Sequence, residues 1–169
     1  MIHAMPPSAH SLPAPGPRLL ALWRRLAPLP GGRRLFAFLL GRFVPYSATL
    51  GARVELLDPG HCRVVLRDHR AVRNHLDSVH AMALANLAEL ASGLAVVVGL
   101  PAGVRGIVTA FTISFVKKAR GRLRAECLVR GLSDVTSEQE RDADVTITDA
   151  GGDVVARATA RWRLRPAGA

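Results

Sequence analysis

The sequence predicts an α+β fold in which an antiparallel sheet of about six strands wraps one long, apolar central helix. Three observations predict it. Residues 79–99 are Ala, Leu, Met and Val almost throughout, apolar around the whole helical circumference, which marks a buried helix and not a surface one. The rest of the chain beyond Ala52 breaks into short segments rich in β-branched and alternating residues, the signature of strands. In the last of these, Arg157, Thr159, Arg161, Arg163 and Arg165 alternate with Ala156, Ala158, Ala160, Trp162 and Leu164. Period-two alternation puts the arginines on a wet face, and three successive alanines on the other face let a helix approach closely.

In chain order, residues 1–17 hold five prolines and read as a disordered lead-in. Residues 18–45 form an amphipathic helical arm, two short helices hinged at Pro28–Gly32. Its longest apolar run, Leu35 to Leu40, is too short for a membrane span or a signal-peptide core. Residues 46–166 make the main domain. There RVELLD and CRVVLRD flank Pro59-Gly60 as a hairpin, and VRGIVTAFTISFV follows the helix. GRLRAECLVRG, DADVTITD and DVVARATARWRLR complete the sheet, the last two joined at Gly151-Gly152. At 169 residues this is one domain with room for a real core.

The formal charge is +10, and 21 of the 23 basic residues are Arg. Codon bias accounts for such a composition as readily as attraction to an anionic partner does. Nucleic acid is not expected, because only 5% of residues are aromatic and no base-reading motif is present. Residues 18–43 carry six Arg and no acid, so peripheral membrane contact by the arm stands second to packing on the domain. Cys62 and Cys127 have no C-x-x-C spacing and read as buried thiols of a cytoplasmic protein, with no metal site. No glycine-rich phosphate loop occurs.

Glu89 is the one acid in the central helix, on a face shared with Asn86 and Ser92. A buried carboxylate needs a cation, water or a raised pKa. A structural ion pair would suffice, but the neighbouring residues suggest chemistry. His80 and Ala81 open the helix, where free N–H groups and the positive dipole end suit an oxyanion, and Asn74 offers an amide donor in the preceding loop.

Asn74, five intervening residues, His80 and an acid nine residues further on resemble the motif of hotdog-fold acyl-CoA thioesterases of the phenylacetate-degradation and 4-hydroxybenzoyl-CoA types. The stretch from GRFVPYSATLGARVELLDPG through RNHLDSVHAMALANLAELASGLA to ISFVKKARG is similar to a poorly characterised bacterial hotdog family, over roughly residues 35–165. The resemblance implies a homodimer or dimer of dimers that hydrolyses an acyl-CoA thioester at a subunit interface. It needs no cofactor beyond the coenzyme A of the substrate. Glu89 would be the base or nucleophile, and Asn74 would orient water or the carbonyl. The Ala81 N–H would serve the oxyanion hole, His80 would hold the turn, and Thr109 would touch the acid. Lys117, Lys118 and Arg120, in a segment with five basic residues in eight, would meet the coenzyme A phosphates.

The chain departs from that motif at three positions. Asp77 stands where the family has Gly, and Ala81-Met82 replace its Gly-Gly. Met82 would line the substrate pocket. The alternative reading is a non-catalytic hotdog protein that binds acyl-CoA or a fatty-acyl chain. A dehydratase on the same fold is weaker, since its D-x-N-x-x-H motif is missing.

Overall fold

The computed structural model describes residues 15–166. Two helices, α1 (Pro15–Leu26) and α2 (Gly32–Phe43), precede a single turn of helix, α3 (Pro45–Ala48). Then come β1 (Arg53–Asp58) and β2 (His61–Arg67), the long helix α4 (Ala81–Gly99), and β3 (Val104–Phe115), β4 (Arg122–Leu128), β5 (Gln139–Thr148) and β6 (Val154–Pro166). Residues 15–17, which their prolines assigned to the lead-in, form the first turn of α1, where proline costs a helix nothing. Residues 1–14 of that expected lead-in lie outside the described residues.

All six strands join one antiparallel sheet in the order β1-β2-β4-β5-β6-β3. Both expected hairpins close on glycines in the left-handed region, Gly60 at φ 75° and Gly152 at φ 87°. The sheet curls around α4, whose residues Leu87, Ala88, Ala91, Ala95 and Val96 are sealed from solvent. Opposite them, Ala156, Ala158, Ala160, Trp162 and Leu164 of β6 are buried while Arg157, Arg161, Arg163 and Arg165 are exposed, as the alternation predicts. By length and hydropathy α4 could cross a membrane, but most of it is buried within the fold.

The arm packs on the domain. Leu20 and Trp23 of α1 and Phe36 and Leu40 of α2 join the main core. Trp23 and Phe36 meet edge to face, with centroids 5.0 Å apart. Gly16 lies so close to Val97 that a Cβ there would stand 2.0 Å from its carbonyl oxygen, so only glycine allows α1 to seat on α4.

Cys62 and Cys127 are not isolated from each other. They are register partners across β2 and β4, both buried and both free. Burial pushes both thiols up, Cys127 to about 12, so neither supplies a thiolate near neutral pH.

The alanine row of β6 provides a test of the packing. Ala160→Leu should lower unfolding stability by about 1–3 kcal/mol through overpacking against α4, measured by urea denaturation. Arg157→Leu, on the wet face of the same strand, should change it by less than about 0.5 kcal/mol.

Candidate active site

The loop before α4 is built around Asn74. Its Oδ1 accepts from the Leu76 N–H at 2.9 Å, the Ser78 N–H at 3.3 Å and the Ser78 hydroxyl at 3.1 Å. The acceptor side of the amide is thus taken by the turn, and its NH2 group is the part left to act on a ligand. Within this turn Asp77 adopts φ 51°, the one non-glycine residue with positive φ among those described. A glycine there would be unstrained, which is a physical reason for the family's Gly; Asp is among the few side chains that tolerate the left-handed region.

Arg120 clamps the same turn. Its Nε donates to the Asp77 carbonyl at 2.9 Å and its Nη2 to the Leu76 carbonyl at 3.3 Å. The Val79 N–H donates to the Ala119 carbonyl at 2.8 Å, tying the β3–β4 loop to the start of α4. Lys117, by contrast, lies between Asp149 at 2.7 Å and Asp153 at 2.6 Å. Of the three cations expected to meet phosphates, one holds a loop and one is neutralised. Lys118 makes neither a hydrogen bond nor an ion pair among the described residues.

His80 is the N-cap of α4. Its Nδ1 accepts from the Met82 N–H at 3.0 Å, and its backbone N–H donates to the Val72 carbonyl at 2.8 Å. The Ala81 N–H has no acceptor among the described residues and stays open at the positive end of a 19-residue helix. Next to it lies a hollow of about 360 Å³ between α3, the 3-10 turn Arg70–Val72 and the first two turns of α4. His80, Met82, Ala83, Asn86 and Tyr46 line it. Met82 is 56% exposed at its edge. The Asn86 Oδ1 is buried without a hydrogen-bond partner. The sequence set Asn86 only on the face of Glu89; its position in this hollow depends on contacts with α3 that helical spacing does not encode.

Glu89, one turn further along α4, is partly buried, and its carboxylate has no hydrogen bond or ion pair among the described residues. Burial pushes its carboxyl above its ordinary range. One carboxylate oxygen lies 3.6 Å from the space that a Cβ on Gly93 would fill, and the indole of Trp162 borders that space at 3.7 Å. The Trp162 Nε1 is itself buried without a partner. Ser92 does not serve the carboxylate, since its hydroxyl donates to the Glu89 backbone carbonyl at 2.9 Å.

Thr109 sits in a bulge of β3, between the paired residues Val108 and Ala110, and its hydroxyl donates to the Arg161 carbonyl at 3.4 Å. It makes no hydrogen bond to Glu89. Within one chain, then, Asn74, His80, Ala81 and Met82 cluster at the start of α4, while Glu89 lies near Trp162 on the β6–β3 side. The structural ion pair with an arginine, the alternative to a chemical role for Glu89, is not formed among the described residues.

Solved structures of similar shape were found. A structural-genomics protein is 29% identical, with a TM-score of 0.76 over 89% of this chain and 97% of that one. A Pseudomonas aeruginosa protein of unknown function, described as a probable thioesterase, is 27% identical, with a TM-score of 0.71 over 82% and 97%. The Escherichia coli PaaI protein of the phenylacetic acid degradation operon shares the fold at 21% identity, with a TM-score of 0.61 over 75% and 92%. No curated protein sequence matches the chain. The profile of a domain of unknown function, DUF4442, matches residues 32–164. The sheet, its strand order and the enclosed helix are those of a hotdog fold, and the chain is a hotdog protein of the DUF4442 family.

Proposed function

We propose that the protein is a thioester hydrolase acting on acyl-CoA, with Glu89 as its general base or nucleophile in a site completed by a second copy of the chain. The observation that carries this reading is the unpartnered Glu89 itself. It is the only acid of α4, partly buried, and held above its ordinary pKa with no ion-pair partner among the described residues. A carboxyl tuned towards neutrality is a stronger base, while structural carboxylates are normally paired. The similarity to the probable thioesterase of Pseudomonas aeruginosa supports the same reaction class.

As a base, Glu89 takes a proton from water as the oxygen adds to the thioester carbonyl. The resulting oxyanion accepts from the Ala81 N–H, and its collapse expels the coenzyme A thiolate, which receives the proton held by Glu89. As a nucleophile, Glu89 first forms an anhydride with loss of the thiolate, and water then cleaves it. The Asn74 NH2 orients the water or the carbonyl in either route.

A second copy is favoured by β3. This strand is 12 residues long and, among the described residues, pairs only with β6. Its outer edge is uncovered, with Ile107 65% exposed, and Phe115 and the following Val116 are exposed as well. A long apolar edge is an open template for another strand. An antiparallel β3–β3 contact about a two-fold axis would close it and bring the partner's copy of the Asn74 turn towards Glu89. Ile107→Glu should therefore yield monomers in sedimentation and lose hydrolysis while keeping the far-UV spectrum.

Glu89→Gln removes the charge and keeps the shape. Hydrolysis of a responsive acyl-CoA, followed as free thiol release, should fall at least about a hundredfold. The rising limb of its pH profile, set by a carboxyl above its ordinary pKa, should vanish. Stability follows the opposite course. Because the folded pKa is raised, ionising Glu89 costs nothing below the ordinary carboxylate range and costs progressively more as pH climbs through the folded value. The Gln variant should therefore match the wild type in acid and equal or exceed it at neutral pH. A folded variant of full activity would remove Glu89 from the mechanism.

Ala81-Met82 decides between hydrolysis and mere binding. The Ala81 N–H persists whatever its side chain, so Ala81→Gly should alter the rate only modestly. If the wild type binds acyl-CoA without turning it over, and Ala81→Gly with Met82→Gly creates hydrolysis, the side chains block the site and the natural protein is a binder.

A further inference from the structure

Beside β1, a groove of about 740 Å³ opens between the hinge of the arm and the outer face of the sheet. It lies apart from Glu89 and shares no lining residue with the hollow at α4. Its apolar walls come from Ala27 and Leu29 of the hinge and from Val54 and Val65 of the first hairpin. Its polar lining is strongly one-signed. Arg33, Arg34, Arg53, Arg67 and Arg122 converge on it, with His69 beside them and one carboxylate, Glu55.

Glu55 cannot balance this set. Its Oε1 is held by Arg122, and its Oε2 lies 3.6 Å from the Arg124 guanidinium. Arg34, Arg53 and Arg67 have neither a hydrogen bond from the side chain nor an ion pair among the described residues, and Arg33 only covers the Trp23 ring, 5.8 Å from its centroid. No acid occurs in residues 1–54, so none from the arm can enter the groove. Arg161, Arg73 and Arg63 have acids beside them, Asp142, Asp68 and Glu126, while Arg70, Arg130 and Arg157 have no ion pair among the described residues but do not line the groove. The groove is set apart by gathering five arginines around a single carboxylate.

The backbone adds to this. The groove reaches Gly31, the N-cap of α2, which adopts φ 74° and carries no side chain to cap the helix. The positive end of a 12-residue helix therefore opens on the same space. Like charges held within a Debye length repel one another, and an anion that several can share removes the repulsion. Guanidinium forks match phosphate oxygens in geometry and in charge.

We propose that this groove is a binding site for phosphoryl groups, those of an organic diphosphate in solution or those of anionic lipid headgroups at a membrane surface. The site stands whether or not Glu89 hydrolyses thioesters, since none of its residues belongs to that machinery.

The test is titration of the full chain with sodium pyrophosphate by calorimetry, with ionic strength held constant by sodium chloride. Saturable binding is expected. The triple variant Arg34→Gln, Arg53→Gln, Arg67→Gln should weaken it at least about tenfold. A charge-matched control, Arg70→Gln, Arg130→Gln, Arg157→Gln, should stay within about twofold of the wild type. The groove variant should melt no earlier than the wild type, because it relieves repulsion; if it fails to fold, Arg53→Gln alone carries the comparison. Flotation with phosphatidylcholine vesicles, with and without phosphatidylglycerol, separates the two sources of phosphate. Flotation that depends on the anionic lipid and on the three arginines assigns a headgroup, and pyrophosphate binding without flotation assigns a soluble phosphate. Equal loss in the control variant, or neither saturable binding nor flotation, would overturn the site.

Discussion

Everything in the molecule depends on how closely α4 approaches the sheet. Ala88, Ala91 and Ala95 on the helix are all buried, and their small side chains let its backbone lie near the sheet, most extensively over β2, β4 and β5. That contact gives the sheet its concave side, since the strands must curl to meet a helix apolar on every face. It also sets the depth of Glu89, which projects from a helix enclosed by protein. Partial burial there holds the carboxyl above its ordinary pKa.

The arm and the N-terminal turn of α4 attach to this centre by different means. The arm relies on area, through Leu20, Trp23, Phe36 and Leu40, and on the missing side chain of Gly16. The turn relies on polar bonds, with Asn74 organising it from within and Arg120 holding two of its carbonyls from the next loop. One consequence is that the Asn74 carbonyl oxygen is fully engaged in the turn while the Ala81 N–H and the Asn74 NH2 group have no partner among the described residues. Hydrogen bonds thus set the shape of this turn, and hydrophobic burial sets the surroundings of Glu89.

The elements were legible in the sequence because their signals are local. The alternation through residues 156–165 gave the face of β6, and the circumference of residues 81–99 gave a buried helix. The hinge at Pro28–Gly32 separated two helices. Local pattern failed wherever a partner lay far along the chain. Lys117 lies 32 residues from Asp149 and 36 from Asp153, so its neutralisation could not be read from the basic run around it. Arg120 reaches back to residues 76 and 77, and Cys62 meets Cys127 only through the β2–β4 register. The roles given to Glu89, Asn74 and Thr109 came from a resemblance and not from periodicity. Within the described residues Glu89 makes no hydrogen bond to either of the other two.

The central helix also sets the order in which the protein can fold during synthesis. α4 ends at residue 99, whereas β4, β5 and β6, which wrap much of it, run from residue 122 to residue 166. At about 5–20 residues per second, several seconds pass between completion of the helix and arrival of its last covering strand. During that interval the ribosome displays a segment whose hydropathy equals that of a membrane span. Only β1, β2 and the arm are yet available to shield it. In the folded protein α1 lies against the C-terminal half of α4, with Gly16 on Val97, and α1 belongs to the part of the cover that is already synthesised when the helix is complete.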